Sequence, residues 1–376
     1  MENRFLITLE GLGALLAELK GMGRTLIGPV VRDGAIVYDE ITGLRDLPAG
    51  WGDVQEAGRY RLEKRDDGAL FAYNSSPMAW KRFLHPPALT LWKARRRDDG
   101  FRIESEAQAP PLHAFIGVRA CDLRAIAIQD RVLMEDRFRD PHYAARRRDV
   151  FILAAQCAQA GNTCFCASMD SGPRATQGFD LALTELLHPE HRFLLEVGSE
   201  AGGRLLSRVP HQVAGEADWA AALQATENAR AQMGRHVDTR NIKTLLYGNA
   251  EHPRWEETAQ RCLACANCTM VCPTCFCTAI EDHTDLEGSE ARRVRHWDSC
   301  FTSQFSHIHG GVVRAGIASR YRQWLTHKLA SWQDQFGTLG CVGCGRCISW
   351  CPEGIDITEE LAVIRAQDQN GAGEDA

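Results

Sequence analysis

Residues 262–273 have the sequence Cys-Leu-Ala-Cys-Ala-Asn-Cys-Thr-Met-Val-Cys-Pro, and residues 341–352 repeat its cysteine spacing in Cys-Val-Gly-Cys-Gly-Arg-Cys-Ile-Ser-Trp-Cys-Pro. In each stretch, three cysteines lie two residues apart, and a fourth follows three residues later, directly before a proline. A tight loop with this spacing brings three thiolates to one cubane, while the fourth cysteine points toward a second cluster. The repeated spacing therefore predicts two [4Fe–4S] clusters.

The same pattern predicts which cysteines share a cluster. One cluster would take Cys262, Cys265, Cys268 and Cys351, and the other would take Cys341, Cys344, Cys347 and Cys272. This exchange of the fourth ligand follows the general behaviour of two-cluster ferredoxins. Zinc is the alternative metal, because paired cysteines also form zinc ribbons. A zinc site gains nothing from a third cysteine at the same interval followed by Cys-Pro, so the pattern favours iron–sulfur clusters.

The composition indicates a protein with no nucleic-acid or membrane partner. Of 376 residues, 44% are hydrophobic and 24% are charged, and the formal net charge is −6. The basic runs 95–97 and 146–148 are each followed by an aspartate, so we interpret them as solvated surface. No apolar run approaches the ~18 residues of a membrane-spanning helix, and the first residues lack a secretory signal pattern. We therefore expect a cytoplasmic protein.

The cysteine count is the unusual feature of the composition. Four of the fifteen cysteines lie at 121–166 and eleven at 262–351, and none precedes Cys121. In a long chain without a secretory signal, this bunching favours metal binding over disulfides.

The pattern along the chain predicts an α+β protein in several parts. We expect a mixed α/β domain at 1–200, a connector with a helix at 201–240, an α-helical ferredoxin-like domain at 241–364 with two [4Fe–4S] clusters, and a disordered tail at 365–376.

Local patterns predict the individual elements. In the first domain we expect a helix at 8–21, hairpins around Asp33-Gly34 and Asp67-Gly68, buried strands at 113–118, 150–154 and 193–197, and helices at 123–134 and 181–187. In the second domain we expect helices at 287–293, 301–308 and 318–335.

The remaining cysteines form two groups. Cys121, Cys157, Cys164 and Cys166 lie on predicted strand-end loops and are candidate ligands of a third [4Fe–4S] cluster. Their spacing alone does not separate this hypothesis from small buried hydrophobic residues. Cys275, Cys277 and Cys300 are buried thiols, a redox-active trio or further ligands; the sequence favours buried thiols.

Several stretches resemble one known family. They are 117–125 (Gly-Val-Arg-Ala-Cys-Asp-Leu-Arg-Ala), 164–173 (Cys-Phe-Cys-Ala-Ser-Met-Asp-Ser-Gly-Pro), 180–184, the region 262–277, 297–300, the basic helix through His327-Lys328, and 340–347. With these motifs the chain resembles the β subunit of cytoplasmic NAD(P)-linked nickel–iron sulfhydrogenases and the related A subunit of anaerobic sulfite reductase. The run at 310–314 departs from the family pattern and leaves the terminal reaction open.

The resemblance implies a non-catalytic electron-transfer subunit of a multi-subunit oxidoreductase. Its partners would be a diaphorase-type subunit with FAD and an NAD(P) site, and a catalytic subunit with nickel–iron or siroheme. The resemblance also favours the third cluster, because the segments around Cys121 and Cys164 match well. The alternatives are an electron-input subunit of a sulfite reductase, an enzyme that reduces a sulfur compound at its extra cysteines, and a redox-sensing module.

Overall fold

The computed structural model describes residues 4–74, 76–104, 110–135 and 138–374. The strands are β1 Arg4–Thr8, β2 Thr25–Arg32, β3 Ala35–Glu40, β4 Trp51–Glu56, β5 Arg59–Lys64, β6 Ala88–Arg97, β7 Gly100–Glu104, β8 His113–Val118, β9 Phe151–Ala155, β10 Leu181–Leu186, β11 Arg192–Val197, β12 Gln212–Val213, β13 Thr278–Thr284, β14 Glu290–Trp297, β15 His307–Ile308 and β16 Gly311–Val312.

The α-helices are α1 Leu9–Gly21, α2 Lys81–Leu84, α3 Ala120–Asp130, α4 Pro141–Arg147, α5 Glu200–Leu206, α6 Glu216–Ala231, α7 Ile242–Gly248, α8 Arg254–Arg261, α9 Asn267–Met270, α10 Ile317–Thr326, α11 Trp332–Phe336, α12 Arg346–Ser349 and α13 Ile357–Glu374. Single π-helical turns at Arg131–Glu135 and His327–Ser331 extend α3 and join α10 to α11. None of the helices in the described ranges is long and apolar enough to cross a membrane.

A mixed sheet of eight strands organises the N-terminal half, in the order β12-β1-β11-β10-β9-β8-β2-β3. Its central strands β2, β8, β9 and β10 run parallel, and antiparallel strands flank them. Strands β8 and β9 are buried along their whole length, as parallel strands covered on both faces require. Helix α1 packs a stripe of leucines into this core, and the Thr8 hydroxyl accepts from the Gly11 N–H at its start.

The mixed α/β architecture is confirmed, but two local predictions in this half are wrong. The helix predicted at 181–187 is absent, and Leu181–Leu186 form strand β10, because pairing with β9 and β11 overrides the helix propensity of Leu, Ala and Glu. The second hairpin joins β4 to β5 through Ala57-Gly58, and Asp67-Gly68 lies after it. The Asp67 side chain instead takes part in an ion pair with Arg65.

The C-terminal half shares a sheet with the N-terminal half. The order of this four-stranded antiparallel sheet is β13-β14-β6-β7, so a hairpin from the C-terminal half pairs with a hairpin that precedes residue 105. The predicted helices at 287–293 and 301–308 are therefore wrong: the first lies largely in β14, and the second contains a short 3₁₀ turn and β15. Pairing of β14 with β6 favours the extended conformation of its Val294 and Trp297. The predicted helix at 318–335 matches α10, the π-turn and α11.

The connector and the C-terminus are both helical. Helix α6 lies in the expected connector and buries Ala222, Thr226 and Ala229. Helix α13 continues through most of the segment for which we expected disorder, as far as Glu374. Its first turns are anchored by buried Leu361 and Ile364.

Candidate metal centres

Two loops carry the repeated cysteine motif, and their backbones are alike. We call residues 262–268 the first loop and residues 341–347 the second loop. In each loop the residues before and after the middle cysteine have positive φ: Ala264 (49°) and Ala266 (64°) in the first, Gly343 (62°) and Gly345 (75°) in the second. The N–H of Ala264 donates to the Cys262 sulfur, and that of Gly343 to the Cys341 sulfur, each at 3.4 Å. Both loops therefore curl around their first thiol.

A pocket lies over the first loop and is lined by the predicted set Cys262, Cys265, Cys268 and Cys351. Aromatic and aliphatic side chains complete its wall, among them Phe301 and Trp324. The Asn267 amide donates to the Trp350 carbonyl and so ties this loop to the residue before Cys351. Burial raises the pKa of Cys268 well above its ordinary value, whereas Cys265 is exposed.

The second loop is buried and lies beside Cys272. The three thiols Cys341, Cys344 and Cys347 each lie within electrostatic range of Cys272. Burial raises the pKa of Cys341 to about 12. Cys347 also lines the pocket of the first loop and lies near Cys268, so the two thiol groups adjoin.

The four N-terminal cysteines come together next to the second loop. Cys121 begins α3 after β8, Cys157 follows β9, and Cys164 and Cys166 lie in the long loop before β10. Cys166 lies within electrostatic range of Cys164, Cys157 and Cys344, and Cys121 within range of Cys166 and Cys344. Burial raises the pKa of all four thiols, that of Cys164 to about 12. A metal replaces these protons when it binds, so assembly at such sites releases protons.

The segment Thr163–Cys166 packs directly on the second loop. The Phe165 N–H donates to the Gly343 carbonyl at 2.8 Å, and the Ser171 hydroxyl to the Val342 carbonyl at 2.6 Å. A Cβ on Gly345 would lie 2.4 Å from the Thr163 oxygen, and one on Gly343 would lie 2.6 Å from the Phe165 oxygen. This contact, together with positive φ, requires glycine at both positions.

A buried ion pair connects the N-terminal cysteines with the second loop. Two guanidinium nitrogens of Arg346 lie 2.9 Å from the two carboxylate oxygens of Asp122, and the side chains are 0% and 1% exposed. Arg346 also donates to the Ser76 carbonyl at 2.7 Å. Asp122 follows Cys121 and Arg346 precedes Cys347, so each partner neighbours a candidate ligand.

Of the three leftover cysteines, Cys275 contacts Cys272, and Cys277 and Cys300 lie near each other. A hydrogen bond from the Cys275 thiol and the nearby Lys328 ammonium hold the pKa of Cys272 well below its usual range, against the opposing effect of burial. Burial raises the pKa of Cys300 to about 12, and Cys277 lies within electrostatic range of it. Cys300 is buried, whereas Cys275 and Cys277 are half-buried.

No three cysteine sulfurs of the described residues lie as close together as a bound zinc ion would hold them. A tetrahedral site with Zn–S bonds of ~2.3 Å would hold its thiolates ~3.8 Å apart. Within the described ranges, the one set of three His, Cys, Asp or Glu ligand atoms within 4.8 Å of one another is Glu281, His283 and His296, on exposed strands. Thiolates of a cubane bind separate irons and stand further apart, which suits the wider cysteine groups.

Sequence reasoning located the cysteines but missed part of their surroundings. Lys328 and Arg346 are both buried beside the second loop. The pairing of Arg346 with Asp122 and the approach of Lys81 to Cys275 join residues more than 190 positions apart, which no local pattern reveals. Arg320 and Arg322, by contrast, bond carbonyls on the surface.

Comparisons with known proteins agree with this geometry. Residues 261–355 match the 4Fe-4S dicluster domain family. Over 327 residues the chain is 28% identical to sulfhydrogenase 2 subunit beta of Pyrococcus furiosus, covering 86% of this chain and 94% of that protein. A structure of the F420-reducing [NiFe] hydrogenase complex from Methanosarcina barkeri, derivatised with xenon, matches at 9% identity over 64% of this chain and 92% of that one. Its TM-score of 0.28 is too low to carry an argument.

The predicted resemblance to sulfhydrogenase β subunits is confirmed by the Pyrococcus protein, whereas the relation to sulfite reductase stays a prediction. The family match also supports iron–sulfur clusters of the 4Fe–4S type in the C-terminal half. The chain is thus similar to sulfhydrogenase 2 subunit beta over most of its length, and its C-terminal half contains a match to the 4Fe–4S dicluster domain.

Proposed function

We propose that this chain is the iron–sulfur electron-transfer subunit of a multi-subunit hydrogenase. The observation that carries the proposal is a continuous series of three cysteine groups ending at the exposed Cys265. Cys344 adjoins the N-terminal group, and Cys347 adjoins the group of the first loop, so the second loop lies in the middle of the series. Bound clusters would supply one-electron transfer.

The residues proposed to hold the clusters follow from these groups. Cys262, Cys265, Cys268 and Cys351 would hold one cluster, Cys341, Cys344, Cys347 and Cys272 a second, and Cys121, Cys157, Cys164 and Cys166 a third. The all-thiol donor sets and the apolar wall of the pocket over the first loop support iron–sulfur ligation. The surrounding apolar side chains exclude water from the thiolates.

The proposed partners are a diaphorase-type subunit with FAD and an NAD(P) site, and a subunit that carries the nickel–iron centre. The similarity to a sulfhydrogenase subunit of Pyrococcus furiosus supports a hydrogenase assembly. The exposed Cys265 and its neighbour Leu263, which is 60% exposed, offer one end of the series to a partner. No residue in the series needs to act as an acid, base or nucleophile.

The test is metal analysis of the anaerobically purified chain. We expect about twelve irons and as many acid-labile sulfides per chain, with little zinc. Cys341→Ala and Cys121→Ala should each lower the iron content by about four. Cys300→Ala, a buried cysteine outside the three groups, is the matched control and should retain all the iron.

Other outcomes revise the proposal in defined ways. About eight irons, unchanged in Cys121→Ala, would remove the third cluster and leave a two-cluster carrier. Zinc without sulfide would refute electron transfer altogether. Copurification with a siroheme subunit in place of a nickel–iron subunit would assign the chain to a sulfite reductase.

A further inference from the structure

Two buried lysines lie beside Cys272. Lys328, in the π-turn after α10, is 2% exposed, and Lys81, at the start of α2, is 5% exposed. In the described part of the chain neither ammonium pairs with a carboxylate, whereas Arg346 of the same region pairs with Asp122. A buried charge without a counter-charge is costly, so these positions indicate an anion nearby.

Lys328 points directly at the thiol of Cys272. Its ammonium lies 3.2 Å from the Cys272 sulfur, 3.2 Å from the Gly340 carbonyl and 3.3 Å from the Thr274 hydroxyl. The Cys275 sulfur is at 3.6 Å. The Thr274 hydroxyl also bonds the Cys272 sulfur at 3.1 Å. The ammonium is thus fixed against one proposed ligand of the second cluster.

Lys81 approaches the same region from the N-terminal half. Its ammonium donates to the Cys275 carbonyl at 2.9 Å and lies 3.9 Å from the centre of the Trp297 ring. The backbone and the ring hold it beside Cys275 without a carboxylate. Both halves of the chain therefore contribute one positive charge to this part of the second site.

The negative charge of a cluster at the first loop would be stabilised in a different way. Its Cys265 is exposed, so water can solvate the charge of a cluster held there. Its neighbour Arg320 lies within electrostatic range of Cys262, but the guanidinium donates to the Phe301 and Ala315 carbonyls and contacts none of the loop's sulfurs by hydrogen bonding within the described residues. At the buried second loop, water is replaced by fixed ammonium groups.

We propose that Lys328, supported by Lys81, is a positioning residue that supplies the counter-charge for the cluster of the second loop and raises its reduction potential. This inference rests on the proposed electron-transfer function. Reduction adds one negative charge to a cluster, and a nearby buried cation stabilises that added charge. Lys328 has the larger effect because it contacts a ligand sulfur, whereas Lys81 contacts a carbonyl.

The experiment is an EPR-monitored redox titration of the anaerobic, cluster-loaded chain. In Lys328→Met we expect one midpoint potential to fall while the others stay unchanged, at the parent's iron and sulfide content. The transition that moves should be one that Cys341→Ala removes. Lys81→Met should shift the same transition by less, and Lys328→Arg should keep it close to the parent value.

Arg322→Gln is the matched control, because Arg322 lies on α10 and pairs with the exposed Glu251. Unchanged potentials in Lys328→Met at full iron content, or an equal shift in Arg322→Gln, would refute the inference. If Lys328→Met loses iron, the midpoint potential of Lys81→Met is the test. An unchanged potential in Lys81→Met would then refute the inference. A parent chain without iron–sulfur clusters would instead refute the proposed function.

Discussion

The first and second loops share a motif and a backbone but differ in what surrounds them. In both, residues with positive φ flank the middle cysteine, and an N–H donates to the first sulfur at 3.4 Å. The first loop ends the series at an exposed thiol, and the second loop lies between two other thiol groups. The cysteine spacing therefore specifies the backbone conformation of each loop, whereas the residues between the cysteines specify where the loop lies in the protein.

The intervening residues differ at corresponding positions. The first loop has Ala266 and Asn267 where the second loop has Gly345 and Arg346. Asn267 bonds one carbonyl, whereas Arg346 is fully buried and bonded to Asp122. Substitutions at these matched positions should separate the requirements of metal binding from those of packing.

Removal of the guanidinium of Arg346 should have the largest effect on stability. Arg346→Met leaves the Asp122 carboxylate buried without its partner, which costs about 3–5 kcal/mol. We expect a corresponding loss of stability in chemical denaturation and a loss of iron from the second loop. The corresponding change Asn267→Ala removes one hydrogen bond and should cost about 0.5–1.5 kcal/mol. Equal losses of stability in Arg346→Met and Asn267→Ala would contradict the comparison. Adding Asp122→Asn to Arg346→Met should recover part of the lost stability, because it removes the unpaired charge.

A methyl group at Gly345 should have the next largest effect. In Gly345→Ala the added carbon would lie 2.4 Å from the Thr163 oxygen, at a φ of +75°. Overpacking and backbone strain together should cost roughly 2–4 kcal/mol. The reverse change in the first loop, Ala266→Gly, relieves strain at φ +64° and should stay within about 1 kcal/mol of the parent. Thermal unfolding of the two variants measures the difference. If Gly345→Ala were as stable as Ala266→Gly, the segment at 163–166 would not be in tight contact with the second loop.

Loss of one hydroxyl at the contact with the second loop should have a smaller effect. Thr163 is buried, and its hydroxyl lies 2.8 Å from that of Ser349. Thr163→Val leaves Ser349 with one partner fewer and should cost about 1–2 kcal/mol. Thr302→Val, at a half-buried hydroxyl away from the second loop, is the control, and its iron content should match the parent. Loss of stability without any change in iron retention would show that this contact serves folding alone.

A chelator should remove iron from the two loops at different rates. The chain should stay folded until the iron has left. A chelator reaches the exposed Cys265 side of the first loop without local unfolding, whereas the second loop is covered by the segment at 163–166. We therefore expect two phases of iron loss under anaerobic conditions, the faster one from the first loop. Cys341→Ala should remove part of the slow phase. A slow phase that survives unchanged in Cys341→Ala would contradict this assignment.

The grouping of the cysteines follows from the sequence more directly than the path of the chain between them does. The motif at 262–273 and its repeat follow from ligand spacing, which is a local property. Residues 181–186 and 290–297, in contrast, are strands because distant segments pair with them, and that pairing overrides their local helix propensity. The burial of Lys81 and Arg346 likewise depends on contacts across the whole chain.

The shared sheet of β6, β7, β13 and β14 also has a consequence for how the protein is made. The outer edge of strand β6 is paired only after β14, about 200 residues later in the chain, has left the ribosome. Synthesis of residues 241–364 alone would leave β14 with an open edge, which is a template for aggregation. The cluster-binding half therefore needs the N-terminal half as a folding partner, and cluster insertion at the two loops is expected late in biogenesis, after this long-range closure.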